Sequence, residues 1–207
     1  MIKNRYITIS KSRLSHFKDQ IPWHKTKQVV EFGSSYGETL DEIGKKYKIK
    51  HLNGFDLQKP KGKEIKFYKE DLNQINLCKY SNQINNSDLF LFLDTLEHLL
   101  TPIEFIKKLY AMQKKGSLLV ASCPNFKSIK MLFAFIKGEL PKEKYGYFDE
   151  THLHWLTEKQ LKKIFIANGY KVKKIKFIYS KKNITIYFFI KFTDITILFA
   201  KISNWNL

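Results

Sequence analysis

The 207-residue chain carries 37 Lys and Arg against 19 Asp and Glu, a formal net charge of +18, with 43% hydrophobic residues. Its length suits a single domain over residues 1–207 with a full α/β core. Cys78 and Cys123 are far apart and lack ligand spacing, which speaks against structural zinc and for a reducing, cytoplasmic setting. Residues 1–10 have no apolar core of a secretory signal, and Lys191 and Asp194 interrupt the apolar run 184–202, so that run reads as strands rather than a membrane span. The charge admits nucleic acid, an anionic membrane or an acidic substrate as partner. Arg5 and Arg13 are the only arginines, however, and phosphate contacts favour arginine's planar fork, so a solvated lysine surface is expected.

A helix is expected over residues 11–20, stopped by Pro22, giving residues 1–27 the part of an N-terminal helical cover. Within the stretch 29–37, a short apolar run ending in the acidic Glu31 reads as a buried strand, followed by a turn containing Gly33 and Gly37. A helix over residues 38–47 has acid at its start and lysine at its end, as a helix dipole favours. Strand, glycine turn and helix form the opening unit of a nucleotide-binding α/β sheet. The spacing Glu31-x-Gly33-x-x-x-Gly37 differs from the G-x-G-x-x-G of a dinucleotide site, with Ser35 where a middle glycine would sit. A carboxylate before the turn would repel a pyrophosphate and suits a ligand carrying an ammonium group. The alternative is an ordinary βα turn.

Residues 51–57 read as a second strand ending at Asp56, about twenty residues past the turn, the separation at which an acid reaches ribose hydroxyls. A short third strand over 64–69 leads to Asp71, which either faces a cofactor base or caps the next turn. The polar, Asn-rich stretch 78–87 reads as loop. Residues 88–94 are continuously apolar between two acids, which marks a central strand buried on both faces. It delivers Asp94, Glu97 and His98 to the ligand edge of the sheet. A helical turn there would put these three on one face, able to take a proton, fix a substrate, hold a divalent ion or merely brace the loop.

Thr101-Pro102-Ile103-Glu104 reads as a capping box opening a helix to about residue 115, and residues 117–122 as a fifth strand. Residues 124–156 form an acceptor-side insertion or lid, with an amphipathic helix over 126–137 suited to a lid, a partner surface or a membrane surface. The insertion ends in a segment dense in Tyr, His, Trp and acid, where His152 and His154 are candidate general bases. Thr157-Glu158-Lys159-Gln160 caps a further helix to residue 168. Residues 170–179 and 193–202 read as strands. The link 181–192 is too short for a crossover helix, so an antiparallel closing pair is expected.

Together Glu31-x-Gly33-x-x-x-Gly37, Gly54-Phe-Asp56, Asp71, Asp94-x-Leu-Glu97-His98-x-x-x-Pro102 and Thr151-His-Leu-His154-Trp-Leu-Thr157 resemble the class I S-adenosylmethionine-dependent methyltransferases. The likeness is to the bacterial branch acting on small molecules and cell-surface sugars. It implies a Rossmann-like three-layer α/β sandwich whose seven-stranded, mostly parallel sheet ends in an antiparallel strand. It also implies S-adenosylmethionine as cofactor, with Glu31, Gly33, Ser34 and Gly37 around the methionine part. Asp56 and Leu57 would lie at the ribose, Asp71 and Leu72 near the adenine, and Asp94 beside them. For a hydroxyl acceptor, His152, His98 and His154 are the candidate bases, with His152 preferred. No metal is expected; were one used, Asp94, Glu97 and His98 would be its ligands. The expected function is O-methylation of a small or sugar-like acceptor, for instance one in surface-polysaccharide synthesis. RNA methylation is the alternative enzyme reading, and a basic membrane- or partner-binding module with a degenerate cofactor site is the alternative of another class.

Overall fold

The first strand, β1 (Gln28–Phe32), buries side chains on both faces. Val29 belongs to one apolar cluster and Val30 and Phe32 to another, and all three are fully buried. A strand of this kind has to lie inside a sheet covered on both sides. The computed structural model, which describes residues 18–59, 64–178 and 194–201, shows that arrangement. Strands β1, β2 (His51–Asp56), β3 (Ile65–Lys69), β4 (Leu89–Leu93), β5 (Leu118–Pro124), β6 (Tyr170–Ile178) and β7 (Asp194–Lys201) form one seven-stranded sheet of order β3-β2-β1-β4-β5-β7-β6. Strands β1 to β5 pair in parallel, while β7 runs antiparallel to both β5 and β6. This is the Rossmann-like sandwich with the antiparallel closing pair that the short link between the last two strands requires.

Helices cover the two faces. On one side, Leu40 and Ile43 of α1 (Glu38–Tyr47) join Val29, Leu52, Leu89, Leu91 and Val120. On the other, α2 (Ser81–Asn86), α3 (Pro102–Met112) and α5 (Glu158–Ile166) send Ile84, Phe105, Ile106, Leu161 and Phe165 against Phe32, Phe55, Phe90 and Phe92. Phe32 is the centre of that face: it stacks on Phe55 and Phe92, each at 5.0 Å, and takes the edge of Phe105 at 5.2 Å. Truncating such a ring to alanine costs about 3–5 kcal/mol. A third, smaller cluster lies in the insertion, where Met131 and Ala134 of α4 (Ile129–Ile136) meet Tyr147 and Phe148.

Two local readings need correction. The stretch 78–87 is not loop: a 3-10 turn over Leu77–Tyr80 leads into α2. Asparagine is a poor helix former, but Asn76 Oδ1 accepts the Cys78 amide at 3.1 Å, Asn86 bonds back to Asn82, and burial of Leu77 and Ile84 outweighs the propensity. Thr101 precedes α3 without capping it through its side chain. Its backbone sits at ψ 67°, away from the extended region in which a hydroxyl faces the first-turn amides. Thr157, at ψ 164°, does form the expected box with Gln160. The helix expected over 11–20 lies largely outside the described residues. Its described end, Lys18–Gln20, is a 3-10 turn, and Ile21 joins the core on the α1 side while Trp23 stacks on Tyr47 at 3.8 Å. That contact is at the end of α1 remote from the glycine turn. Among the described residues, no helix is long and apolar enough to cross a membrane.

Candidate active site

The strand order reverses between β1 and β4, and in open α/β sheets the crevice beyond the carboxyl ends at such a switch point receives ligands. The glycine turn lies there. Its amides at Gly33 and Ser34 donate to the Phe55 carbonyl at 2.9 and 3.2 Å, tying the turn to β2, and the Gly37 amide donates to Ser34 O at 2.8 Å. Gly33 has φ +72°, and a Cβ on it would stand 2.5 Å from Thr95 Oγ1, so neither the conformation nor the space admits a side chain. Thr95 itself is fixed by donating to Phe32 O or Leu93 O, at 3.1 and 3.3 Å. Gly54 serves the same closeness from β2, since a Cβ there would meet Ser34 Oγ at 2.7 Å. Ser35 has φ +48° although it is not glycine, so the turn carries local strain. Its amide donates to Asp56 Oδ2 at 2.8 Å, and the Gln58 amide to Asp56 Oδ1 at 2.8 Å, which orients the carboxylate at the tip of β2.

Glu31, one residue before the end of β1, is 2% exposed. Burial pushes its carboxyl well above the usual carboxylate range; a hydrogen bond with Thr39 opposes this, and the charges of Asp56 and Glu38 add to it. Its Oε2 is buried without a hydrogen-bond partner. A buried carboxylate oxygen of this kind is costly unless a cation or donor arrives.

The second half of the site hangs from β4. Asp94 takes φ +50°. Its amide donates to the carbonyl and the hydroxyl of Ser122, both at 3.1 Å, and Ser122 Oγ donates to Asp94 Oδ1 at 2.9 Å. A 3-10 turn, Leu96–His98, follows. Asp94 lies outside that turn, so the helical face expected to unite Asp94, Glu97 and His98 does not form. The group that does assemble is Glu97, His98 and His152, one ligand atom from each lying within 4.8 Å of the others. The insertion supplies His152. Leu153 and His154 donate their amides to Glu97 O at 2.8 and 3.1 Å, laying the segment along the end of β4. The His98 and His152 rings are 4.7 Å apart, and Trp155 sets its ring edge-on to His152 at 5.6 Å.

Hydrogen bonds orient the His98 ring. Its Nδ1 lies 3.1 Å from Thr151 O, which can only accept, so Nδ1 carries a proton. Thr151 Oγ1, 2.9 Å from the same nitrogen, donates its own hydrogen bond to Asp149 Oδ1 at 2.6 Å. In the same way His154 Nε2 donates to Leu99 O at 2.8 Å. Burial, then the neighbouring His98, hold the His152 imidazole below its ordinary value, against opposing effects of Asp149 and the Tyr147 backbone.

Of the remaining expected residues, Asp71 Oδ1 accepts the Asn73 amide at 2.9 Å, the turn-capping arrangement. Leu72 packs partly buried against the Phe32 face, and Leu57 is exposed. Sequence reasoning assigns no role to Thr95, Ser122, Thr151 or Asp149. Thr151 stands at the head of the His-Leu-His segment, which is signal enough to find it; Thr95 carries none.

An acid-preceded glycine turn at the switch point, with a carboxylate at the tip of β2, is an arrangement that suits a nucleotide ligand bearing a cationic group. A family model described as "Methyltransferase domain" matches residues 8–175. The chain belongs to this methyltransferase family. The structure is similar to a SAM-dependent methyltransferase from Archaeoglobus fulgidus (TM-score 0.68, 21% identity, 94% of each chain). It is also similar to magnesium protoporphyrin IX methyltransferase from Synechocystis with bound SAH (TM-score 0.63, 14% identity, 95% of this chain and 83% of that one). An O-methyltransferase family protein from Burkholderia thailandensis resembles it too (TM-score 0.66, 10% identity, 99% and 59%). A search of curated proteins finds no match to the sequence. The protein is an enzyme with S-adenosylmethionine as its methyl donor, and its residues fit that group. The unpartnered Glu31 oxygen suits an ammonium, and the crowded Gly33 turn leaves backbone where a ligand approaches. When bound, the donor supplies a methyl group already activated on a sulfonium.

Proposed function

We propose that this methyltransferase O-methylates a small or sugar-like acceptor, as in cell-surface polysaccharide synthesis, with His152 taking the acceptor proton. The observation that carries the reading is the meeting of His152, His98 and Glu97 at the end of β4, two residues beyond the Thr95 that closes on Gly33. On this reading Glu31, Gly33, Ser34 and Gly37 hold the methionine part of the donor, and Asp56 with Leu57 its ribose. Asp71 and Leu72 lie toward its base, with Asp94 between donor and acceptor.

Methyl transfer to a hydroxyl needs alignment of the oxygen with the methyl carbon and a base for the proton released. A lowered pKa keeps His152 neutral at physiological pH, the form in which it accepts a proton. His98, oriented through Nδ1 by Thr151, belongs to the same group. His154 donates an Nε2 hydrogen bond to Leu99 O, which suits it to positioning the segment rather than to chemistry. The two arginines in the chain give little support to an RNA acceptor, whose binding would weaken steeply with salt.

The test is transfer of labelled methyl from S-adenosylmethionine to a panel of sugars and small alcohols, with RNA as the contrasting acceptor. His152→Gln should lower kcat by roughly 10²–10⁴-fold and leave donor affinity unchanged. A variant with wild-type kcat removes His152 from the chemistry. Transfer to RNA alone removes the acceptor assignment.

A second reading has its own support. One carboxylate and two imidazoles form a donor set suited to a divalent cation, and Thr151 orients His98 as the outer partner of a metal ligand would. Glu97, His98 and His152 would hold the ion, with Asp94 outside the set, and the ion would make the acceptor hydroxyl more acidic. Loss of turnover in chelator, restored by added Mg²⁺ or Mn²⁺, selects this reading over a metal-free histidine base.

A further inference from the structure

We propose that the outer face of α4 and the loop after it dock onto an anionic lipid bilayer. Helix α4 has two unlike sides. Met131 and Ala134 turn inward onto Tyr147 and Phe148, with Phe126 and Trp155 completing that small core. The other side leaves Phe133 at 52%, Phe135 at 58% and Ile136 at 70% exposure, beside exposed Leu132 and, past the helix, Leu140 and Tyr145. Eleven large hydrophobic side chains are exposed among the described residues, and these six fall within fourteen positions of one another. Scattered single exposures are ordinary; a contiguous set on one short element marks a contact surface.

Charge names the occupant. Lys127, Lys130, Lys137, Lys142 and Lys144 are all exposed in and around the patch, against Glu139 and Glu143. An apolar face rimmed by lysine is the composition of a helix lying in the headgroup layer, with the rings in the acyl boundary and the ammonium groups on anionic phosphates. Eight residues span only about 12 Å of helix, suited to lying in the interface and too short to cross it. The chain's net charge of +18 adds long-range attraction to such a surface and disfavours a second copy of this equally basic protein as the occupant.

The patch belongs to the insertion that supplies His152, and Trp155 touches both the Met131 cluster and the His152 ring. Docking therefore sets the acceptor side of the site against the bilayer. If the proposed O-methylation holds, an acceptor carried on a lipid is the substrate class that follows.

The experiment is co-sedimentation of the full chain with vesicles of phosphatidylcholine alone or with about one third phosphatidylglycerol, and requires no turnover. A failure of docking is thus separate from a failure of the acceptor assignment. Wild type should bind the anionic vesicles, release with rising salt and ignore the neutral ones. Phe133→Ser/Ile136→Ser should lose at least tenfold in binding with an unchanged melting temperature, because both side chains are already in solvent. No binding to anionic vesicles overturns the proposal. So does equal binding by the double variant, which would make the contact a general effect of surface lysine. A double variant that changes oligomeric state while wild type ignores vesicles would assign the face to self-association instead.

Discussion

Glu31 carries a cost in the free protein. Its folded-state pKa is raised by burial, so between the ordinary carboxylate range and that raised value the folded chain holds a proton that the unfolded chain has lost. Stability therefore falls as pH rises through this window. Glu31→Gln keeps the shape and removes the buried charge. It should raise the melting temperature of the cofactor-free protein at pH 7, by about 1–2 kcal/mol of stability, and flatten the decline of stability as pH rises above the ordinary carboxylate range. The same variant should bind S-adenosylmethionine at least tenfold more weakly, since the ammonium loses its counter-charge. Thermal melts across pH, paired with donor titration, check both. A variant that melts lower at neutral pH would mean the carboxylate is well satisfied without the donor. Ser35 shows a second residue-scale tension: it holds φ +48° in a turn that elsewhere uses glycine, and its amide anchors Asp56.

Among the elements, the junction of β1, β4 and α3 rests on Asp88. Its Oδ2 accepts the amides of Lys27 and Gln28 at 2.7 and 3.0 Å, and its Oδ1 meets Lys114 Nζ at 2.5 Å. Burial alone would raise its pKa, but the Lys114 ammonium and the two amides together hold it below the usual value. A lowered folded pKa contributes stability above the unfolded value that disappears as pH falls through the folded one. Asp88→Asn should cost about 1 kcal/mol at pH 7, discounted for partial exposure, and the gap to wild type should close toward pH 3. Denaturant titrations at the two pH values measure this; a pH-independent gap would deny the ionic contribution.

Elements with a strong period or a good cap are legible in the residues alone: the buried strand ending at Phe32, α1, and the Thr157 box. Those decided by tertiary contact are not. Residues 78–87 look like loop because Asn dominates, yet Ile84 finds a core. Thr101 looks like a cap, yet its backbone does not present the hydroxyl. At the site, Glu31, the glycines and Asp56 can be read from spacing along one βα unit. The cluster proposed to take the acceptor proton cannot be read in full, because His152 joins Glu97 and His98 across more than fifty residues while Asp94 turns to Ser122.

For the molecule as a whole, one sheet carries the two halves of the site on opposite sides of the switch point. β1 and β2 present Glu31, the glycine turn and Asp56, proposed to hold the donor, and β4 with the insertion presents Glu97, His98 and His152, the group proposed to take the acceptor proton. A ligand that binds only the folded state stabilises it, by about 2.7 kcal/mol at one hundred times its Kd. Donor binding is thus the property on which the account turns, and calorimetric titration of the purified protein with S-adenosylmethionine, with NAD as the control and Asp56→Ala as the variant, tests it most directly. The account predicts one S-adenosylmethionine per chain, no heat with NAD, and at least tenfold weaker binding in the variant. No binding of S-adenosylmethionine, or equal binding by Asp56→Ala, would contradict the placement of the donor between the glycine turn and the tip of β2.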